Sequence, residues 1–384
     1  MTSMLRAITT KLRKRPYVAL DAVLESCRQL YNAALEQRIL AYRRQGVSLS
    51  FYDQCKDLTE LRAADPVYRS LSTTMTRLTV LHRLDKAFKA FFRRCKTGEQ
   101  PGFPRFKGQG RFDTLVFGPG SWSIKGRRLH LHGIGKFHIS GRHVIEGDFK
   151  GLRLVRSADR WEVQVLVDIG PAPAVKPSAN GVGIDVGIKT FAVLSDGTRI
   201  EHPRFLKKRL ELLKVAQRTL SSKRRGSRRR QKAKLQLQRL HRRTANMRRN
   251  FLHQVSRYLV NTYDGFAVEK LHIQEMVQSS PKGDTKKQAR GLHRGIMDSA
   301  WATFAFYHGY KAEYAGSPVV KVAAKGTTYR CSGCGSAVRK TLGTRMHVCP
   351  ACGLVLDRDL NAALNIQASG AEAMPDLLRR RCPS

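Results

Sequence analysis

The sequence predicts an α/β chain joined to a β-barrel, with helices inserted in the barrel and a small metal ribbon inserted in the α/β part. Three observations predict it. Short alternating segments between glycine-rich turns fill residues 97–172. Apolar strands near 181–200, 265–271 and 319–324 are separated by long helical stretches. Two Cys-x2-Cys pairs stand between the last of these strands and a final helix.

Each element follows in order. Residues 1–14 are basic and alternate through Met4-Leu-Arg-Ala-Ile-Thr, as one edge strand would. In 17–45, Leu20, Val23, Leu24, Cys27, Leu30, Tyr31, Ala34 and Leu35 fall at three- and four-residue steps, the period of a helix. Further helices are expected over 51–62 and 73–96, the latter with a Leu78, Leu81, Leu84, Phe88 and Phe91 stripe. Such stripes read as core. Gly98 to Lys107 is a loop, and the strand segments after it include Thr114-Leu-Val-Phe, Arg128-Leu-His-Leu and Trp161-Glu-Val-Gln-Val-Leu-Val. Their spacing suits a barrel or a sandwich. The first strand then returns to this region, and the helices at 15–96 are an insertion in it. Pro171-Ala-Pro-Ala-Val-Lys-Pro177 is a linker.

Beyond the linker, Gly181-Val-Gly-Ile-Asp185-Val-Gly is a strand with an acid inside it. A buried acid is costly unless it is paired or holds a metal. A second strand ends in Asp196-Gly197, a hairpin signal, and a third follows. Residues 204–262 are helical, broken by a loop at Ser222 to Arg230. Between Arg204 and Arg249 there are 19 Lys and Arg and one acid, Glu211. Surface helices ordinarily mix both signs, so this hairpin is expected to bind phosphates. Gly265-Phe-Ala-Val-Glu269 is a fourth strand, 274–290 is polar, 292–315 is one helix, and Val319-Val-Lys-Val is a fifth strand. Asp357 is the expected N-cap of the last helix, with Asp359 in its first turn.

Composition narrows the partners. The 71 Lys and Arg stand against 29 Asp and Glu, a formal charge of +42. The natural complement of such an excess is DNA or RNA. There is no run of 18 apolar residues, and the N-terminus lacks a signal-peptide core. A soluble, intracellular, nucleic-acid-binding protein is therefore expected. Of eight cysteines, Cys27, Cys55, Cys95 and Cys382 are scattered, and they read as ordinary thiols. Cys331, Cys334, Cys349 and Cys352 have the spacing of a tetrahedral site, so a structural Zn²⁺ is expected. Four thiolates leave no open position for catalysis.

The order β-β-β-α-β-α-β-α, with Asp185, Glu269 and Asp359 at these points, is the ribonuclease-H-like layout. In it the first and fourth strands adjoin, and the last helix brings its acid to theirs. Oxygen-only ligands suit Mg²⁺ or Mn²⁺. Two such ions would support in-line phosphodiester hydrolysis.

The chain resembles a known family through Ile184-Asp-Val-Gly-Ile-Lys, Val268-Glu-Lys-Leu, Cys331-x2-Cys-Gly, Cys349-Pro-x-Cys-Gly and Asp357-Arg-Asp-Leu-Asn-Ala-Ala-Leu-Asn-Ile. Phe103-Pro-Arg-Phe-Lys and Asp298-x2-Trp301 extend the match. The family is TnpB, the transposon-encoded RNA-guided DNA endonucleases ancestral to type V CRISPR effectors. One departure is Lys325-Gly-Thr-Thr-Tyr-Arg before the first cysteine, where the family often has Ser-Gln; it is expected to lie apart from the chemistry.

The resemblance implies a split RuvC nuclease domain over 178–324 and 355–368, with Asp185, Glu269 and Asp359 as its metal-binding triad. It implies a zinc ribbon over 325–354 and a wedge β-barrel from 1–14 and 97–172. A helical recognition domain would occupy 15–96, and 369–384 would be a disordered tail. It also implies a guide RNA from the transposon end and a double-stranded DNA target cut beside a short adjacent motif. A monomer with RNA is expected, with a dimer as the alternative. Arg105, Lys107, Arg224, Arg225, Arg228, Arg229, Arg230, Arg242 and Arg243 are the expected nucleic-acid contacts. Phe103, Phe106 and Trp122 either stack on bases or pack in the core. The other readings are an unguided RuvC-like nuclease or transposase, a compact type V CRISPR effector, and an RNA-bound regulator, which would lack an acid.

Overall fold

The computed structural model describes residues 3–13, 17–141, 145, 147–175, 180–278, 286–324, 326–341 and 343–375. Both ends of the expected 1–14 strand lie outside these residues, as do Lys176 and Pro177 of the linker, the middle of the polar stretch at 274–290, Lys325, and 376–384 of the tail. The chain forms two units, Met1–Pro171 and Ala172–Ser384.

In the first unit β1 (Ser3–Leu12) is followed by α1 (Val18–Gln45), α2 (Phe51–Ala64), α3 (Pro66–Ser70), α4 (Thr73–Thr76) and α5 (His82–Lys96). Ser50 opens α2 with a full capping box to Asp53, worth about 1 kcal/mol. A π turn at Arg77–Leu81 joins α4 to α5, where a single helix was expected. At that turn the Thr79 hydroxyl donates to the Val116 carbonyl at 3.2 Å and accepts from its amide at 2.9 Å. Six strands complete the unit: β2 (Thr114–Phe117), β3 (Trp122–Lys125), β4 (Arg128–Leu131), β5 (Gly135–Ser140), β6 (Asp148–Ser157) and β7 (Arg160–Pro171).

These strands make one antiparallel sheet in the order β2-β6-β7-β1-β5-β4-β3. The N-terminal strand thus pairs with β7 and β5, far along the chain. Among the described residues β2 and β3 are the two edges, an open order rather than the closed ring a barrel requires. The helix stripes and the inner sheet face share one core, in which Leu20, Tyr31, Leu84, Leu115 and Trp161 are buried together. The apolar periodicity read from the sequence is the imprint of that burial.

The second unit opens with β8 (Gly181–Val186), β9 (Thr190–Leu194) and β10 (Arg199–Glu201), then α6 (Phe205–Ser221) and α7 (Arg228–Thr262). There follow β11 (Gly265–Lys270), α8 (Ile273–Gln278), α9 (Lys286–Ser299), α10 (Trp301–Ala315) and β12 (Val319–Ala323). Last come β13 (Met346–Val348), β14 (Val355–Asp357) and α11 (Arg358–Ala373). The main sheet runs β10-β9-β8-β11-β12. β8, β11 and β12 are parallel, and β9 and β10 are antiparallel. The first and fourth strands of the unit are therefore neighbours.

Two readings are corrected. The helix expected over 292–315 is broken at Ala300, whose φ of 52° is left-handed and costs about 1 kcal/mol or more. The break seats Asp298 and Ser299 at the foot of the α6–α7 hairpin. There Asp298 accepts from the Leu206 amide at 3.1 Å and from Arg248 at 2.6 Å, and Ser299 bonds His202 at 2.9 Å. The last helix runs on to Ala373, past the expected tail boundary at 369, with Gly370 buried in it.

One sheet face packs on α7 and α10 through Val182, Ile184, Phe191, Leu252, Phe266 and Phe304. His308 sits in this layer, 1 % exposed, edge-on to Phe266 and stacked on Phe304, with neither ring nitrogen hydrogen-bonded. Burial, then the nearby Lys311, pushes its pKa down to about 4. The ring is neutral in the fold and gains a proton near pH 6.5 when unfolded. Its contribution therefore falls as pH drops from 6.5 towards 4, by up to about 3 kcal/mol. His308→Phe is expected to melt at a temperature less sensitive to pH across that window. Melting curves at pH 7 and pH 5 check this, and equal pH dependence in both proteins would refute it.

Candidate active site and four-cysteine centre

Sheet register brings the first two acids together. Gly183 pairs with Ala267 and Ile184 with Val268 across β8 and β11. The next residue on each strand is Asp185 and Glu269, side by side at the carboxyl ends of two central strands. Residues two apart share a sheet face. Gly181, Gly183 and Asp185 therefore point one way, together with Ala267 and Glu269. Ala267, Val320 and Val322 pack against Ile366 of α11, so this is the face α11 covers.

α11 crosses β8 in matched steps. Gln367 Nε2 donates to the Gly181 carbonyl at 2.6 Å. A Cβ on Gly183 would stand 2.6 Å from the Gln367 amide nitrogen and closer still to the Ala363 carbonyl oxygen. One turn back from Ala363 is Asp359, and two strand residues on from Gly183 is Asp185. A four-residue helix step is about 6 Å and a two-residue strand step about 6.6 Å. The steps stay in phase, and Asp359 arrives over Asp185. Asp357 starts the helix, its Oδ1 accepting from the Asp359 and Leu360 amides at 2.9 and 3.3 Å.

The charges respond to this crowding. Burial first, then the carboxylates of Glu269 and Asp359, drives the Asp185 pKa well above its ordinary value, with Arg358 partly offsetting them. Burial also raises Glu269, while a 2.6 Å hydrogen bond from the Thr327 hydroxyl pulls it back. At Asp357 burial is outweighed by Arg199 at 3.1 Å and by the helix amides, and the pKa is lowered. Arg358 Nε lies 3.2 Å from Asp359 Oδ1, and Arg345 Nη1 lies 3.9 Å from Oδ2. An acid whose ionisation its neighbours oppose, as Glu269 and Asp359 oppose that of Asp185, is relieved by a bound cation. Carboxylate oxygens are the donor type that Mg²⁺ or Mn²⁺ takes, but among the described residues the four cysteines alone stand close enough together to form a metal-holding group.

The sulfur atoms of Cys331, Cys334, Cys349 and Cys352 lie within 4.8 Å of one another. Cys331–Cys352 and Cys334–Cys349 are each 3.6 Å apart, close to the edge of about 3.8 Å that a tetrahedron with 2.3 Å Zn–S bonds requires. The two knuckles are alike. Gly335 and Gly353 adopt φ of 76° and 71°, and their amides donate to Cys331 and Cys349 at 2.9 and 3.0 Å. Donation from Ser336 pulls the Cys334 thiol down to about 6, towards the thiolate a metal binds. Apart from the cysteines, little apolar surface is buried in the ribbon, so a metal would supply much of its folding energy. Mass spectrometry of the native protein is expected to find about one zinc per chain, and a chelator should lower the melting temperature of Ala172–Ser384. An unchanged melting curve after complete chelation would contradict this.

The expected nucleic-acid contacts divide into two groups. Arg105, Arg224, Arg225, Arg228, Arg229 and Arg243 are exposed. Arg230 instead closes the hairpin, donating to the carbonyls of Leu220 and Lys223 at 2.7 and 2.9 Å, and Arg242 is half-buried. Lys107 is also half-buried, with its ammonium 5.5 Å from the Tyr31 ring and its backbone held by Arg28 and Asn32. Phe103 packs edge-on to Phe88 and Phe91, and Trp122 packs against Phe149. Phe106 is 54 % exposed.

With this geometry in view, the comparisons are specific. A family model described as "Probable transposase" matches residues 164–280, and a "Cas12f1-like, TNB domain" model matches 301–366. The "Putative RNA-guided DNA endonuclease InsQ" of Escherichia coli K12 is 29 % identical over 353 residues, covering 90 % of this chain and 87 % of the relative. A "Putative RNA-guided DNA endonuclease" of Streptomyces pristinaespiralis is 28 % identical, covering 90 % and 84 %. "TnpB-like protein L79" of Acanthamoeba polyphaga mimivirus is 29 % identical over 53 % of this chain and 39 % of its own length. The chain is similar to TnpB-like proteins and to putative RNA-guided DNA endonucleases.

Three further residues touch the acids of this site. Thr327 lies in the stretch set apart from the chemistry, yet its hydroxyl reaches Glu269. Arg358 was read only as part of a motif, and it contacts the neighbouring acid. Arg199 lies on β10, and nothing in its sequence neighbourhood marks it as the partner of Asp357. Only the fold shows these pairings.

Proposed function

We propose that this chain is an RNA-guided DNA endonuclease of the TnpB kind that hydrolyses phosphodiesters at a RuvC-type centre formed by Asp185, Glu269 and Asp359. The observation that supports the proposal is the sheet face shared by Asp185 and Glu269, with α11 laid across β8 so that Asp359 acts on Asp185. The strand order β10-β9-β8-β11-β12 supports the ribonuclease-H-like assignment. The three carboxylates would hold divalent cations, and such ions, when bound, lower the pKa of water and stabilise the leaving oxygen. Arg345 and Arg358 place positive charge beside Asp359 and orient its carboxylate. Partial burial of Asp185 weakens the screening of the site by bulk water. The four cysteines hold Zn²⁺ and keep the ribbon folded.

The first unit would serve as the wedge with its helical recognition insertion, gripping RNA and the motif beside the target. The α6–α7 hairpin, with its exposed arginines, would hold the RNA backbone, while base pairing reads the sequence. No helix among the described residues is long and apolar enough to cross a membrane.

The test is to express the gene with its downstream flank, sequence the RNA that co-purifies, and replace its guide segment. Cleavage is expected to follow the new guide and to require Mg²⁺ or Mn²⁺. Cutting by RNA-free protein would favour an unguided nuclease, and RNA binding without cutting would favour a regulator.

A further inference from the structure

Between the last sheet strand and the four-cysteine ribbon, the segment from Gly326 to Ser332 is tied on both sides. Asn365 Nδ2 donates to the carbonyls of Thr327 and Arg330, each at 2.8 Å. Asn361, fully buried, donates to the Arg330 carbonyl at 2.7 Å and accepts from the Ser332 amide at 2.9 Å. Both asparagines belong to α11, the helix that carries Asp359. Thr327, held between them and 5 % exposed, donates its hydroxyl to Glu269 Oε1 at 2.6 Å. The Ala324 carbonyl, at 3.1 Å, is the only other acceptor within reach of that hydroxyl among the described residues. A hydroxyl has one proton, and the shorter bond to the carboxylate takes it.

From this strap we infer that Thr327 is a positioning residue for Glu269. By occupying Oε1 it leaves Oε2 to face the acids of β8 and α11, and through Asn361 and Asn365 it makes the ribbon's anchor part of the catalytic frame. The inference rests on Glu269 being a cation-holding acid, as proposed above. A carboxylate ligand held by an outer hydrogen bond loses rotamer freedom before the cation arrives, and removing such a bond typically costs 10- to 100-fold in metal affinity or activity. The strap also explains why a Thr–Thr pair next to a structural metal site bears on chemistry. The group of Thr327 that reaches the acid is its O–H.

The experiment uses the full chain bound to its co-purifying RNA. Four proteins are compared: wild type, Thr327→Val, Thr327→Ser and Glu269→Ala. Mn²⁺ binding is measured by calorimetry, guided cleavage is measured at saturating and limiting Mn²⁺, and zinc content is measured by mass spectrometry. Thr327→Val keeps the side-chain volume and is expected to bind Mn²⁺ about 10-fold or more weakly, with zinc content and RNA retention unchanged. Thr327→Ser, which restores the hydroxyl, should recover most of the loss. If Thr327→Val binds Mn²⁺ like wild type while Glu269→Ala is inactive, the positioning role is overturned and the active-site reading stands. Loss of zinc, or equal impairment of Val and Ser, would make Thr327 a packing residue and would also overturn it. If Glu269→Ala cleaves normally, the underlying site assignment fails instead.

Discussion

Asp185→Ala is expected to lower guided DNA cleavage by about 10³-fold or more, equivalent to about 4 kcal/mol of lost transition-state stabilisation. RNA binding should stay at the wild-type level, because the exposed arginines of the α6–α7 hairpin lie on other elements. The fold should not suffer either. Asp185 is a half-buried carboxyl whose ionisation is opposed first by its removal from water and then by Glu269 and Asp359. Removing it relieves that repulsion, so the variant is expected to melt no lower than wild type in the absence of divalent ions. In their presence wild type should gain stability that the variant does not, since only a site able to bind the ions is stabilised by them. Plasmid cleavage, RNA retention on a filter, and melting curves with and without Mg²⁺ check the three parts. Undiminished Mg²⁺-dependent cleavage by Asp185→Ala would refute the assignment of the site.

Gly183→Ala is expected to be nearly as damaging to cleavage although it alters no charged group. The added methyl would meet the backbone of α11 at Ala363 and Gln367, not a side-chain end that can swing aside. Overpacking of this kind costs about 1–3 kcal/mol. The helix can escape only by lifting from β8, and that lift carries Asp359 away from Asp185. A misplacement of about 1 Å can cost on the order of 10²-fold in rate. Single-turnover cleavage and thermal melting are the measurements. A variant that cleaves at the wild-type rate would mean that α11 does not set the position of Asp359. Gly197 differs in cause, since an added Cβ there meets nothing within 4 Å and it is the left-handed φ of 88° that favours glycine.

The two substitutions mark where sequence reading succeeds and where it stops. The sheet strands and long helices were legible because burial repeats with the period of the element. The π turn at Arg77–Leu81 and the break at Ala300 were not legible, because each follows from partners far along the chain. Thr79 answers to Val116, and Asp298 answers to Leu206 and Arg248. The four cysteines were legible because a metal site demands a fixed ligand type at a fixed spacing. Thr327 was not, since a hydroxyl has no such spacing to obey. It became significant only when β12 returned the chain to the end of β11.

By itself the sequence determined the charge that calls for nucleic acid, the knuckles, the order of the acid-bearing elements and the N-cap at Asp357. These are local properties, set by residue type and near-neighbour spacing. The tertiary structure decided that the acids share one face, which oxygen of Glu269 is occupied, and which expected arginines are exposed and which are committed to the fold. Those depend on strand register and on how α11 crosses β8. In both cases residues distant in sequence meet only after backbone pairing and packing have fixed their alignment, so no local pattern encodes the result.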